Sequence, residues 1–175
     1  MINDKGRLIY NIYYMLAYAF TDLKHKHYEN IDKEKFDHIY DMFAEILYKG
    51  MSMQIKQGLY REYIDKQENL HTLRGKLNLQ GTIKNRIRRQ TCINCEYDEL
   101  SVDNIFNQIL KFTAMALIRE GSVELKRRAA LRRLMPYFSN VSDINKADIH
   151  WNMIRFSRNN QSYRMLLSIC QFVLQ

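Results

Sequence analysis

The sequence is poor in residues that build tight turns: one proline and six glycines in 175 residues. So few turn formers disfavour an all-β fold and favour long helices. Cysteine is also sparse. Three residues, an odd number, argue against a disulfide framework and for a reducing, cytoplasmic setting. No apolar run approaches the roughly 18 residues a membrane helix needs, and the opening Met1-Ile2-Asn3-Asp4-Lys5 lacks the layout of a signal peptide. There is no G-x-x-x-x-G-K-[ST] loop, which excludes a P-loop nucleotide site in this chain, and no G-x-S-x-G. Internal repeats and low-complexity segments are absent too.

What is present is a globular composition. Hydrophobic residues make up 46% and aromatics 12%, enough for a sizeable core and too much for disorder. The net charge of +8 points to an anionic partner: nucleic acid, an acidic protein groove or an anionic surface. Ile9, Ile12, Tyr13, Leu16, Ala17 and Phe20 recur at helical steps, and residues 21–34 read as a polar loop. Phe36, Ile39, Tyr40, Phe43, Ile46 and Leu47 predict a second helix that runs on through Met51 and Ile55, with Gly50 as a weak point or stop. From Leu59 the period changes to two. Alternation over 59–65, 73–79 and 91–96 predicts three strands, so that residues 58–98 form a small β element between helices. Helices resume after Ser101, read as an N-cap with Asp103 in the first turn, and bury Ile105, Phe106, Ile109, Leu110, Thr113, Ala116 and Leu117. A basic helix over 123–134 is stopped by Pro136. Ile149, Trp151, Met153, Ile154 and Phe156 suggest a short strand, and Tyr163, Leu166, Leu167, Ile169, Cys170 and Val173 a last helix. That apolar helix reaches Gln175 with no cap, which predicts that more chain follows.

The charge is unevenly placed. Residues 69–95 contain no Asp or Glu, yet carry Arg74, Lys76, Lys84, Arg86, Arg88 and Arg89; Glu96, Asp98, Glu99 and Asp103 follow at once. On an ordinary solvated face acids intersperse with bases, so their exclusion marks this segment for phosphate neutralisation or for entry into an acidic site on a partner. A second cluster is Lys126, Arg127, Arg128, Arg132 and Arg133; Arg128 and Arg132 lie on one face of the basic helix with Lys126 and Arg133 on the same broad side, and the cluster reads more readily as a plain solvated face. Other candidates are thinner. Cys92 and Cys95 have C-x2-C spacing, but a structural zinc needs four ligands, usually from a second such pair; the one other Cys is Cys170 and the nearest His is His71, so two small strand residues is the better reading. Asp103 with Glu124-Leu125-Lys126, and Asp4 with Asp22-Leu23-Lys24, match the loose carboxylate spacing of a metal-dependent nuclease, but neither doublet ends an apolar strand. The five histidines, His25 and His27 among them, read as solvated.

Several blocks together resemble a known family. Residues 11–20 (Asn11-Ile12-Tyr13-Tyr14-Met15-Leu16-Ala17-Tyr18-Ala19-Phe20) are similar to the opening helix of McrC, the second subunit of the McrBC modified-cytosine restriction system. Lys49-Gly50, Gly58-Leu59-Tyr60-Arg61-Glu62-Tyr63, Leu73-Arg74-Gly75-Lys76-Leu77, Thr82-Ile83, residues 97–104, Asn107-Gln108-Ile109-Leu110-Lys111 and residues 159–164 follow in that family's order. The resemblance implies a subunit that docks a finger into a ring of McrB, a GTP-hydrolysing AAA+ motor, stimulates that hydrolysis and supplies the DNA-cutting nuclease. It implies that GTP and Mg are held by the ring and by a later PD-(D/E)xK nuclease domain. No strand like that domain's "V-D-A-K-Y" occurs here, so the expectation is an N-terminal module without catalytic residues or cofactors of its own, meeting DNA through the assembly and no membrane.

The expected architecture is therefore α+β and mainly α: one domain over 1–175, with helices at 9–20, 36–48 and 102–118 as scaffold and an antiparallel β-finger at about 58–98. The expected contacts are Arg74, Lys76, Lys84, Arg86, Arg88 and Arg89. The alternative is a non-specific DNA-binding module that uses the same bases together with 126–133.

Overall fold

The computed structural model of the chain describes Ile9, residues 11–16 and residues 36–175. Ala17, Phe20, the 21–34 segment with His25 and His27, and the Asp4 and Asp22-Leu23-Lys24 candidates lie outside the described residues. The fold is mainly α with a small antiparallel sheet, as the sequence predicts. The chain forms two compact units, one of residues 1–60 and 105–175 and one of Arg61–Asn104.

The first unit is helical. Its elements are α1 (Ile39–Gln57), α3 (Ile105–Arg119), α4 (Leu125–Leu134) and α5 (Ser162–Leu174), while Asn11–Leu16 are helical as well; α2 (Leu79–Ile87) belongs to the second unit. Helices α1, α3 and α5 pack on one another, and α4 packs on α1 and α3. Met42, Ala44, Ile46, Leu47 and Met51 of α1 lie fully buried, as do Ile109, Leu110 and Leu117 of α3 and Leu166, Ile169 and Cys170 of α5. Gly50 does not stop α1. It is buried mid-helix, where packing outweighs an intrinsic cost of about 1 kcal/mol. Pro136 lies in the first turn of the 3-10 helix Met135–Phe138 that follows α4, where its missing N–H costs little. The strand expected around 149–156 is absent: Lys146–Asp148 and Trp151–Met153 are single 3-10 turns. Ile149 is buried there but Met153 is 75% exposed, so apolar spacing alone misread the segment.

An aromatic and amide knot closes this unit where the insertion leaves it. The rings of Tyr60, Phe106, Phe156 and Tyr163 meet at centroid separations of 5.4 to 5.9 Å. Tyr60 N–H donates to Tyr163 Oη at 3.0 Å, Tyr163 Oη donates to Asn107 Oδ1 at 2.9 Å, and Asn107 Nδ2 donates back to Tyr60 O at 2.9 Å. Asn107 is fully buried and Tyr163 nearly so. Tyr163→Phe removes the acceptor of one half-buried N–H and the donor to one buried oxygen, and is expected to cost roughly 1–3 kcal/mol. Burial also pushes the Tyr163 phenol from 10.0 up to about 12. The fold thus favours the protonated phenol. Its contribution is intact below pH 10 and is lost as the pH climbs towards 12. Denaturant titrations of wild type and Tyr163→Phe from neutral pH to pH 12 should show the difference between them shrinking in that window. A constant difference refutes the assignment.

The second unit holds β1 (Glu62–Leu70), β2 (Lys76–Leu77), α2 (Leu79–Ile87) and β3 (Ile93–Ser101), with sheet order β1-β3-β2 and all pairs antiparallel. It is longer and less purely β than expected. The strand predicted over 73–79 shrinks to two residues, and a helix stands inside the cationic segment. Asn78 ends the alternation: its side chain accepts from Gly81 N–H at 2.8 Å and caps α2. Ser101 is still in β3, its Oγ accepting from Asp103 N–H, and α3 starts only at Ile105.

Candidate functional site

The two faces of the small sheet are built differently. Cross-strand pairs alternate, so Lys66↔Tyr97, Glu68↔Cys95 and Ile64↔Glu99 share one face, while Gln67↔Glu96, Asn69↔Asn94 and Asp65↔Asp98 share the other. On the first face Arg74 lies 4.0 Å above the Tyr97 ring and its guanidinium is 3.9 Å from Glu99. Lys66 pairs with the same Glu99, and Tyr97 Oη donates to Glu68 at 2.7 Å. The Lys66 ammonium holds the Glu99 carboxyl below its ordinary range, and the Glu68 bond raises the Tyr97 phenol.

On the second face α2 docks through amides. Asn69 Oδ1 accepts from Asn85 Nδ2 at 2.8 Å and from Asn94 Nδ2 at 2.7 Å, and Gln67 Nε2 donates to Asn94 Oδ1 at 2.6 Å. Asn94 N–H donates to Thr82 Oγ1, and Asn78 N–H to Asn94 O. Asn85 and Asn94 are buried. Helix α2 ends in a Schellman turn: Gln90 N–H donates to Asn85 O, Arg89 N–H donates to Arg86 O, and Arg89 sits at φ 58. That left-handed position favours glycine, and arginine there costs about 1 kcal/mol.

These elements distribute the sequence-predicted bases. Lys84 and Arg86 lie on α2, Arg88 caps it and Arg89 follows; all four are exposed. Lys76, also exposed, lies in β2 opposite Glu96. Arg74 is set apart. It is on the other sheet face and anchored by Tyr97 and Glu99, so the six bases do not form one patch. Acid meets this segment at two points: Glu96 accepts from Asn78 Nδ2 at the start of α2, and Glu99 pairs with Arg74, whereas α2 itself and its C-terminal turn carry no Asp or Glu.

In the helical unit, the 126–133 cluster divides. Lys126, Arg132 and Arg133 are exposed, and Arg128 is half-buried. Arg127 faces inward. Its guanidinium is 3.8 Å from Asp41 and 3.6 Å from Glu45, pairs with Glu124, and lies over the Phe36 ring at 5.0 Å. Asp41 Oδ1 also accepts from Glu124 N–H at 2.6 Å. Glu124 is thus the N-cap residue of α4 with its carboxylate engaged by Arg127, not a carboxylate ending a strand. Cys92 precedes β3 and Cys95 is buried within it, near Thr72 O, and neither is disulfide-bonded. Among the described residues, no group of three His, Cys, Asp or Glu is placed to hold a metal, and no helix is long and apolar enough to cross a membrane. Sequence reasoning missed Leu79, Ile83 and Ile87, which stand exposed on α2. Their four-residue spacing was the available signal.

The fold and this surface define a class: a basic helical module presenting a small inserted β/α unit with exposed cations at one end. The family model described as the McrBC 5-methylcytosine restriction system component matches residues 4–175, and the chain belongs to that family. A curated relative from Escherichia coli (strain K12), the type IV methyl-directed restriction enzyme EcoKMcrBC, is 24% identical over 164 residues, covering 94% of this chain and 47% of the relative. The chain thus spans about half the length of the curated relative it matches. Among solved structures, a chain of the Thermococcus gammatolerans McrBC complex matches with a TM-score of 0.71 at 22% identity, covering 95% of this chain and 51% of that one. A second, from an assembly of Thermococcus gammatolerans McrB AAA+ hexamers with bound McrC, matches with a TM-score of 0.64 at 24% identity, over 77% of this chain and 32% of that one.

Proposed function

We propose that this chain is the motor-docking part of an McrC-like subunit, and that its Arg61–Asn104 unit enters an McrB-type AAA+ ring and stimulates GTP hydrolysis there. The observation that carries this reading is the acid-free helix α2 and its C-terminal turn, which expose Lys84, Arg86, Arg88 and Arg89. The amide network fixes α2 on the sheet without using these bases, so they are available to acidic or phosphate groups, to which arginine makes bidentate bonds. Arg89 supports the same reading, because a side chain stands where glycine would be more stable, and strain of this kind clusters at functional positions. In this reading GTP and Mg are bound by the ring and by a nuclease domain, DNA is met through the assembly, and the helical unit is scaffold.

The test is GTP turnover by a cognate McrB-type ring with and without the full chain. Arg86→Glu, Arg88→Glu and Arg89→Glu together should abolish stimulation while leaving thermal unfolding unchanged. Arg89→Gly should stabilise the unit by about 1 kcal/mol and still weaken stimulation. Unchanged stimulation in the triple variant removes the assignment.

A second reading, non-specific DNA binding, rests on Lys126, Arg132 and Arg133, which are exposed on α4. It predicts partner-free affinity for plain duplex that falls steeply with salt. The docking reading predicts little such affinity.

A further inference from the structure

Helix α2 is amphipathic in the wrong sense for a surface helix. A helix lying on a sheet ordinarily buries its apolar stripe and exposes its polar face. Here Gly81, Thr82 and Asn85 face the sheet, and the contact is made by amides and a hydroxyl. Gly81 is required by that contact: a Cβ at this position would meet Asn94 Cβ at 2.7 Å. The opposite face carries Leu79, Ile83 and Ile87, spaced i, i+4 and i+8, at 66%, 58% and 77% exposure. At 100° per residue these three span one narrow stripe, with Arg86 along one border and Lys84 beyond the other. Three large aliphatics in a row on a nine-residue helix form a ridge, and an exposed apolar ridge rimmed by charge marks an interaction surface.

Resting on the docking reading above, we propose that this ridge is the part of the finger that seats in the ring, and that its occupant is an apolar cleft with an acidic rim on an AAA+ subunit. The borders select that chemistry. Lys84, Arg86, Arg88 and Arg89 flank the ridge and its C-terminal end with positive charge, which an acid-rimmed cleft complements. A second copy of this chain, ridge to ridge, would bring the same cations together. A phosphate backbone offers no apolar surface to cover Ile83 and Ile87. The bases thus orient and speed the encounter, while the aliphatic stripe supplies the contact that persists once water is excluded.

The experiment measures binding of the labelled full chain to a McrB-type ring loaded with a non-hydrolysable GTP analogue, across a salt series. Ile83→Gln with Ile87→Gln should weaken binding by about 30-fold or more, as loss of a central hot spot does, and the loss should persist at high salt. Leu79→Ser alone should weaken it less and in the same direction. All three residues are exposed, so thermal unfolding should match wild type. Reversal of Arg86, Arg88 and Arg89 should instead flatten the salt dependence. Wild-type binding with an unaffected Ile83/Ile87 variant overturns the ridge inference and leaves the docking reading standing. No binding by wild type overturns the docking reading, and the ridge inference with it. Self-association of wild type that the ridge variant loses, with ring binding unchanged, assigns the ridge to a second copy and overturns the inference.

Discussion

Arg127→Ala is expected to destabilise the helical unit by about 3–5 kcal/mol, whereas Arg132→Ala and Arg133→Ala should each stay within about 0.5 kcal/mol of wild type. The contrast follows from where the side chains lie. The Arg127 side chain is 12% exposed, and those of Asp41 and Glu45 are 6% and 15% exposed. Truncation removes the cation that Asp41 and Glu45 share, leaving Lys49 as the base beside Glu45 and the more deeply buried Asp41 to bear most of the loss, and it also removes the guanidinium from the face of Phe36. A buried charge that loses its partner is costly because water cannot re-solvate it, even where the intact pair adds little net stability. Asp41 is in addition the acceptor for Glu124 N–H at the start of α4, so the same cluster fixes that helix against α1. Denaturant unfolding of the three variants checks this. An Arg127→Ala variant within about 1 kcal/mol of wild type would show that the cluster is solvated.

Gly75→Ala should unfold the β/α unit while leaving the helical unit intact. Gly75 has φ +71, a conformation that L-residues rarely adopt. A Cβ there would meet Tyr97 Cβ at 2.7 Å and stand closer still to the Glu96 carbonyl oxygen. Both are central in β3, and one is backbone, so neither can step aside without breaking the β2–β3 pairs Lys76↔Glu96 and Leu77↔Cys95. Strain and overpacking together put the cost at about 3 kcal/mol or more, a large part of what a unit this small can supply. Hydrogen exchange resolves the effect by residue. Protection should vanish at Ile93–Ser101 and persist in α1, α3 and α5. Retained protection in β3 contradicts the close approach. In the docking reading this variant also loses stimulation of the ring, through loss of the finger rather than of any one base.

The family, the mainly α class and the helical scaffold were legible along the chain. Ile109, Leu110 and Leu117, or Leu166, Ile169 and Cys170, recur at steps that only a helix turns onto one face, and both sets lie in the core. The acid-free run 69–95 was legible too, since composition needs no geometry. The helix inside that run was not legible: the alternation of Leu73, Gly75, Leu77 and Leu79 predicts a strand that ends where the helix capped by Asn78 begins, and no element is predicted over 80–90. A cap competes with a strand only once the residues behind it are seen to close a turn.

The sequence by itself determined how much positive charge this protein carries, where acids are excluded along the chain and which stretches of the scaffold turn as helices. These are properties of local order, written in residue type and spacing. Only the tertiary structure decided which bases face solvent. Arg127 turns inward to Asp41 and Glu45, Arg74 lies on Tyr97 across the sheet from α2, and Arg89 holds a backbone position suited to glycine. It also decided that α2 turns its asparagine towards the sheet and its isoleucines away. Periodicity shows that a helix has two faces. Which face is inward depends on what the rest of the chain places against it, and here that is the amide groups of Asn69 and Asn94.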